Sequence, residues 1–430
     1  MPHQPEDGRP GDSGPAVRPD TTRPAPSRPA PSRPALTRLV GDVTDFAQTS
    51  WGRAPVLRTG ADAGAFADLL TEPAVDELVA RRGLRTPFVR VAKAGSTLPH
   101  SAFTAPGGLG AGIADQVSDD KLSALFAAGS TIVLQGLHRV WPPVLDFCQQ
   151  LAADLGHPVQ ANAYVTPPQN QGFDDHYDVH DVFVLQVAGR KKWSIHAPVH
   201  EAPLRDQPWT DRRDEVRRAA EQEPVIETVL EPGDALYLPR GYLHSATALG
   251  GVTVHLTLGV HSWTRYAVAE ELVALALERL ADDEEARGSL PLGTSLAGDD
   301  LDLDLVGKRL REVLGSVDAD DVAQRLHAKR RGAQRAAPLG PLAQHVLAAA
   351  LTDATTLRLR EHLDATLTDT PLTDTVLTDT VLTTRAGSVP VGQVPAPALR
   401  RLLDGDVVTV ADLGREPARE LVEAGLVVAG

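Results

Sequence analysis

Short runs in which β-branched and aromatic residues alternate with polar ones crowd into one part of the chain. They are "VQANAYVTP" (159–167), "HYDVHDVFVLQVAG" (176–189), "KKWSIHAP" (191–198), "VIETVLEPGDALYLPRGYLHSATA" (225–248) and "GVTVHLTLGVHS" (251–262). A period of two, with Gly and Pro between the runs, predicts antiparallel strands closing into a barrel or sandwich. Ahead of them, "LTRLVGDVTDFAQTSWGRAPVLR" reads as a helix and then an extended segment. Residues 64–82 read as a helix, "TPFVRVAKAG" (86–95) and "GSTIVLQGL" (129–137) as strands, and "PVLDFCQQLAADLG" as a helix. Beyond about Tyr266 the apolar period changes to 3.6, which predicts helices in "AVAEELVALALERLADDEEARG", "DLVGKRLREVLGSV", "DVAQRLHAKRRG" and "LAQHVLAAALT".

Two stretches carry neither period. Residues 1–35 hold ten prolines among Arg, Ser, Asp and Gly. So little apolar surface cannot offset chain entropy, and a disordered tail is expected. "TLTDTPLTDTVLTDTVLTT" (366–384) repeats "LTDT" every five residues and reads as a low-complexity linker without a fold of its own. Residues 385–430 read strand, helix, strand, helix, strand, an order that suits a small winged-helix-like module. The expected division is therefore a β domain over 36–265, a helical region over 266–365, the linker, and the module.

Composition narrows the partners. The 430 residues are 42% hydrophobic and 23% charged, an ordinary soluble balance, with a net charge of −15. Phosphate binding needs a basic surface, so nucleic acid is not the expected partner. The basic clusters "GKRLRE" (307–312) and "HAKRRGAQR" (327–335) read as solvated helix faces. The lone Cys148 can form no internal disulfide. No apolar run reaches the length of a membrane span, and the N-terminus carries no apolar signal core. A cytoplasmic protein is expected.

The chemistry concentrates in "HYDVHD". On a strand, residues two apart share a face, so His176, Asp178 and His180 would line one side. A third ligand must come from elsewhere, and His244, closing "EPGDALYLPRGYLH", is placed to look into a barrel. Two histidines and a carboxylate on one side of a metal leave positions open, the set suited to non-haem Fe(II). Spacing alone equally allows Asp178 with His180, or both histidines in a four-ligand site. An iron oxygenase using 2-oxoglutarate also needs a cation for the far carboxylate. In "AGRKKW", Lys191 and Trp193 share one face while Arg190 and Lys192 lie off it.

These segments, in this order, resemble the JmjC-type, cupin-like ribosomal oxygenases, which are Fe(II)- and 2-oxoglutarate-dependent protein hydroxylases. The resemblance runs from "FAQTSWGRAPVL" through "ANAYVTPPQNQGFDDHYDVHDVFVLQVAGRKKW" and "LEPGDALYLPRGYLHSA" to "VHLTLGV", roughly residues 36–266. It implies a double-stranded β-helix (jelly-roll) catalytic domain, followed by helices that form a homodimer and a winged-helix module. The family's metal ligands fall on His176, Asp178 and His244, and His180 is not required. Its 2-oxoglutarate-binding lysine falls on Lys191. Asn162, Tyr164, His255 and Thr257 would face the cosubstrate. The implied substrate is a protein or peptide side chain, commonly Arg or His of a ribosomal protein. The rivals are hydroxylation of a small molecule or biosynthetic peptide, and a metal-binding cupin without redox turnover. The charged segment 197–225 has no clear counterpart and is expected to border the cleft.

Overall fold

The computed structural model describes residues 33–368 and 380–430, apart from 61, 94, 172, 296–300 and 302. The predicted tail over 1–35 thus lies almost wholly outside the described residues, although a helix already begins at Pro34. That helix, Pro34–Val40, is followed by a second, Val43–Thr49, where a single helix was expected. Gly41, at φ 76°, breaks the run, and Asp42 caps the new start through the Thr44 and Asp45 amides. The helix expected over 64–82 is shorter, Glu72–Arg81, with Pro73 in its first turn.

Nine strands form one antiparallel sheet that folds back on itself: β1 (Val56–Arg58), β2 (Val89–Lys93), β3 (Ser96–Thr97), β4 (Thr131–Leu134), β5 (Val159–Thr166), β6 (Asp181–His196), β7 (Ile226–Leu230), β8 (Ala235–Leu238) and β9 (Leu243–Val260). Their spatial order is β1-β8-β6-β9-β5-β4-β2-β3, with β7 added to β6. The long strands β6 and β9 pair along most of their lengths and bend together. At the bend Gly189 takes φ 64°, and a Cβ there would sit 2.2 Å from the Val252 carbonyl oxygen, so only glycine fits. Beyond the bend β6 changes partner from β8 to β7. This is the cupin-like jelly roll. The runs at 225–248 and 251–262 do not divide at Gly250 and Gly251, where a break was expected. They are β7, β8 and one bulged strand, β9, that runs through both glycines.

Alternation along β5 and β9 sorts the two faces. Ala161, Ala163, Val165, Val254, Leu256 and Leu258 are buried on the outer face against helix Pro142–Leu155 and the N-terminal helices. The intervening residues look into the roll. At one end, Phe46, Trp51, Phe183 and Tyr237 form an aromatic cluster with ring centroids 4.9–6.1 Å apart. The Tyr237 hydroxyl accepts the Gly52 amide at 2.9 Å, so the "TSWG" segment is tied to β8. A second apolar layer, Val182, Val184, Trp193, Ile195, Leu230, Leu236 and Leu238, fills the closed end of the roll.

After the sheet come helices Arg265–Leu280, Leu303–Ser316, Ala319–Ala333 and Pro341–Ala349. The chain then builds a separate core around Leu357, Leu399, Leu402, Val408 and Leu421. Strands Val408–Thr409, Thr356–Leu359 and Val427–Ala429 form its sheet, flanked by helices Ala396–Leu403 and Arg415–Glu423. The stretch 366–384 is not wholly without structure. Its ends, Thr366–Thr368 and Val381–Thr384, pair with each other, and Val381–Thr384 pairs further with Gly387–Pro390. Thr, Val and Leu suit a pleated surface, and that preference won where a partner strand was available. Among the described residues no helix is long and apolar enough to cross a membrane.

Phe183 is fully buried between the aromatic cluster and β9. Truncating Phe183→Ala should cost about 3–5 kcal/mol through lost transfer and the cavity left behind. Urea unfolding checks this, and a midpoint within error of the parent would show that the cluster is not part of the cooperative core.

Candidate metal centre and its buried cation

The strand expected over 176–189 begins only at Asp181, so His176, Asp178 and His180 are not aligned by strand alternation. Another device places the first two. His176 and His244 form an isolated antiparallel bridge: the His244 N–H donates to the His176 carbonyl at 2.8 Å, and the His176 N–H returns to the His244 carbonyl at 3.3 Å. The Gly241 N–H donates to the Asp178 carbonyl at 3.0 Å. Gly241 sits at φ 92°, with the His200 carbonyl oxygen 2.5 Å from where a Cβ would be, so the Pro-Arg-Gly turn needs its glycine. Asp181 completes the knot. Its buried carboxylate accepts the Arg240 N–H at 2.8 Å and the Ser262 hydroxyl at 2.7 Å.

One ligand atom each from His176, Asp178 and His244 lie within 4.8 Å of one another. The imidazole centroids are 4.4 Å apart, and Asp178 Oδ2 is 3.9 Å from His244 Nε2. The Nδ1 atoms point away. His176 Nδ1 donates to the Asp174 carbonyl at 2.7 Å, and His244 Nδ1 to the Tyr242 carbonyl at 3.2 Å. A carbonyl can only accept, so both Nδ1 atoms carry the proton and both Nε2 lone pairs are free for a metal. Burial, with His176 close beside it, lowers the His244 pKa to about 4, which keeps that lone pair available at neutral pH. For Asp178, burial disfavours the anion. Interactions with the neighbouring histidines, His180 first, and with Arg90 outweigh it and hold the carboxyl below its ordinary value. The donor set fits a divalent metal.

His180 faces another way. Its Nε2 is 3.2 Å from the Gln160 amide nitrogen, its ring stacks on His261 at 5.6 Å, and it packs over Gly259. It is not one of the clustered ligands. The irregular backbone over 177–180, where a continuous strand was expected, turns His180 out of the group.

The Trp193 ring lies 6.0 Å from that of His244 and 5.6 Å from that of His255. Lys191, two residues earlier on β6, is 3% exposed. Its Nζ is 3.5 Å from the Thr166 hydroxyl and 5.9 Å from the Trp193 ring centroid. No carboxylate pairs with Lys191 among the described residues, and burial lowers its pKa to about 7. Lys192, one residue on, instead meets Glu227 at 2.6 Å on the outside, and Arg190 faces Glu231 at 3.8 Å. Tyr164 and His255 are register partners and stack with parallel rings 4.8 Å apart. Burial, then the Lys191 and His244 charges, hold His255 well below the ordinary histidine value. Its Nδ1 is buried without a partner. Asn162 and Thr257 are also register partners on the same face, and Asn162 Oδ1 accepts the Gly136 amide at 3.1 Å. A chamber with a buried cation, an orphaned imidazole nitrogen and hydroxyls fits a carboxylate.

Three further residues border the ligands without having been singled out. Arg90 on β2 lies in the strand row Arg90–Val133–Tyr164–His255. Its guanidinium sits 5.2 Å over Phe173, and its Nε is buried without a partner. The apolar Val89 and Val91 on either side of it carried the signal, a cation on the inner face of a buried strand. Phe173 and Trp209 stand 6.1 and 6.3 Å from the His176 ring. Trp209 belongs to the charged segment 197–225, which forms a turn of 3₁₀-helix and the helix Arg213–Ala220.

The chain is similar to known proteins. The family described as the JmjC domain matches residues 142–268. Ribosomal oxygenase 1 of Rattus norvegicus is 36% identical over 174 residues, 39% of this chain and 28% of that protein. The bifunctional lysine-specific demethylase and histidyl-hydroxylase NO66 of Drosophila erecta is 40% identical over 139 residues, 32% of this chain and 21% of that protein. The chain thus spans less than a third of the length of the curated relatives it matches. Among solved structures, the Escherichia coli ribosomal oxygenase YcfD aligns with a TM-score of 0.52 at 16% identity, over 91% of this chain and 99% of that one. A structure of the same protein with cobalt and 2-oxoglutarate aligns with a TM-score of 0.51 at 16% identity. At such identity the likeness speaks for the fold. Residues 142–268, which contain all three clustered side chains and the buried lysine, are the part of the chain that matches the JmjC domain family.

Proposed function

We propose that this protein is an Fe(II)- and 2-oxoglutarate-dependent oxygenase that hydroxylates a side chain of a protein or peptide. One observation carries the reading: the His176–Asp178–His244 cluster, with a buried lysine that has no carboxylate partner beside Trp193. A cupin that only binds metal has no use for that cation. The names of the relatives, ribosomal oxygenase and histidyl-hydroxylase, point the same way. Cobalt and 2-oxoglutarate in YcfD support the cosubstrate.

Bound Fe(II) and 2-oxoglutarate would supply oxygen activation and the oxidising power for an unactivated C–H bond. The chain's own residues set the geometry. His176, Asp178 and His244 would hold the metal from one side, each histidine locked by its carbonyl partner. Lys191 would meet the distal carboxylate of the cosubstrate, with Thr166, His255, Tyr164, Asn162 and Thr257 shaping that chamber. Trp193 and the apolar layer beside it exclude water from the closed end. The open side is bordered by Phe173, Trp209 and Arg90, aromatic and cationic surface on which a polypeptide can lie.

The reading extends to assembly and location. The helix Arg265–Leu280 leaves Tyr266, Val268, Val273 and Leu277 between 43 and 54% exposed, and Leu303 and Val306 are exposed nearby. Burying such a face in a two-fold homodimer is the common solution. The C-terminal core, with two small sheets and helices, would serve as the winged-helix-like module. A lone cysteine accords with a cytoplasmic setting.

His176→Ala, Asp178→Ala and His244→Ala should each abolish Fe(II) binding, whereas His180→Ala should retain it. Anaerobic Fe(II) titration of the folded variants tests this, and loss in His180→Ala alone would overturn the ligand set. Lys191→Ala should raise the 2-oxoglutarate dissociation constant about ten- to a hundredfold, because a charge-assisted bond worth about 1.5–3 kcal/mol is removed. Lys192→Ala should change little. Equal effects from the two would show the cosubstrate chamber to be misplaced.

The sign of a pH effect follows. The carboxylate must meet the ammonium form of Lys191, which burial has already brought to a pKa of about 7. Binding therefore takes up a proton above that pH, and affinity should weaken from about pH 7 upward, with Lys191→Ala removing the slope. Anaerobic calorimetry across that range measures it, and a flat profile would deny Lys191 the role. For substrate, incubating cell extract with protein, Fe(II) and 2-oxoglutarate should yield a peptide carrying one added oxygen by mass spectrometry. Oxygen gained only on small molecules would favour the biosynthetic alternative.

A further inference from the structure

The basic cluster at 327–335, expected to be a solvated helix face, is not wholly one. Arg331 and Arg335 instead help to line a cavity of about 580 Å³ between helix Pro142–Leu155 and the C-terminal core. Arg139, Arg360 and Arg385 line it too, and His362 joins them. Among the lining residues the one carboxylate is Asp364, and it is already held by Arg330 through two bonds of 2.9 and 3.0 Å. The arginines find only neutral partners. Arg331 donates to the Thr366 hydroxyl at 2.7 Å, and Arg360 to the Ala337 carbonyl at 2.7 Å and the Gly425 carbonyl at 3.4 Å. No carboxylate pairs with Arg139, Arg335 or Arg385 among the described residues. In a chain of net charge −15, five arginines around one hollow are a concentration that chance placement does not explain.

We propose that this cavity binds a small organic molecule carrying two or more phosphate groups. Guanidinium forks match phosphate oxygens two at a time, and several arginines call for more than one negative charge. Leu145, Leu339 and Leu426 supply an apolar wall for the organic part. The volume is that of a small-molecule site. Mutual repulsion is visible within the cluster: burial, and then the charges of Arg335 and Arg385, lower the pKa of Arg139. An anion would relieve that repulsion. The acidic chain as a whole and the concave shape argue against a nucleic-acid strand, which needs an extended basic track.

The site is separate from the metal centre but close in sequence to it. Arg139 lies on the short helix Leu137–Val140, whose His138 Nδ1 accepts the Ala161 N–H of β5 at 3.0 Å.

Calorimetry on the full chain with inorganic tripolyphosphate as probe tests the proposal. Saturable binding is expected, weakening as sodium chloride is raised. The double substitution R139Q/R335Q should weaken it by roughly tenfold or more, as expected when charged hydrogen bonds are lost. Fe(II) binding should stay as in the parent, which separates this result from the fate of the oxygenase reading. Should R139Q/R335Q fold poorly, R335Q/R385Q changes only exposed positions at the cavity mouth and should weaken the probe in the same direction. No saturable binding, or binding unchanged in a folded variant, overturns the site. So does a single-stranded oligonucleotide that binds through these arginines while tripolyphosphate does not.

Discussion

The reciprocal backbone bridge between His176 and His244 is the contact on which the rest of the site depends. It joins the segment entering β6 to the first residues of β9, and both residues it joins are candidate ligands. Sheet registry and metal geometry are therefore one constraint. The Gly241 amide on the Asp178 carbonyl, and the Asp181 carboxylate on the Arg240 amide, extend the knot to the turn between β8 and β9. A slip of one residue in this pairing would turn a ligand to the wrong face, and the aromatic cluster at Phe183 and Tyr237 opposes such a slip from within the core.

Electrostatics divides the interior in two. Near the ligands, burial keeps His244 neutral, and the surrounding positive groups keep Asp178 ionised. At Lys191 the balance reverses, for the ammonium has lost water without gaining a carboxylate. A lone buried cation is costly unless an anion arrives. The cost is borne where a dicarboxylate lying between metal and lysine would offset it. Trp193 borders both regions, its ring near those of His244 and His255 and 5.9 Å from Lys191 Nζ.

Much of this was legible in the residues. Alternation in 159–262 marks the sheet, and "HYDVHD" with "LPRGYLH" marks the clustered candidate ligands. What alternation could not reveal is that His176 and Asp178 precede β6. They meet His244 through a bridge and an irregular turn, so the strand argument for sharing a face does not hold there. That same irregularity excludes His180, which period two would have kept. Gly41 and Pro73 cut helices that apolar periodicity alone would have joined. The pairing of 366–368 with 381–384 depends on a partner strand distant in sequence, which a five-residue repeat does not disclose. Arg90 was readable in principle, since a cation between Val89 and Val91 on a buried strand asks for a reason.

Net charge misled in one respect, and the cause is physical. A total of −15 describes the field far from the protein, where screening leaves only the sum. Inside a concavity the nearest groups decide, and there five arginines face one neutralised carboxylate. The helix Ala319–Ala333 exposes its acidic first turn and brings Arg331 to the cavity, while Arg335 follows at the rim. The same helix therefore contributes to an acidic exterior and a basic hollow. Distribution, which only the fold reveals, carries the chemistry that composition had set aside.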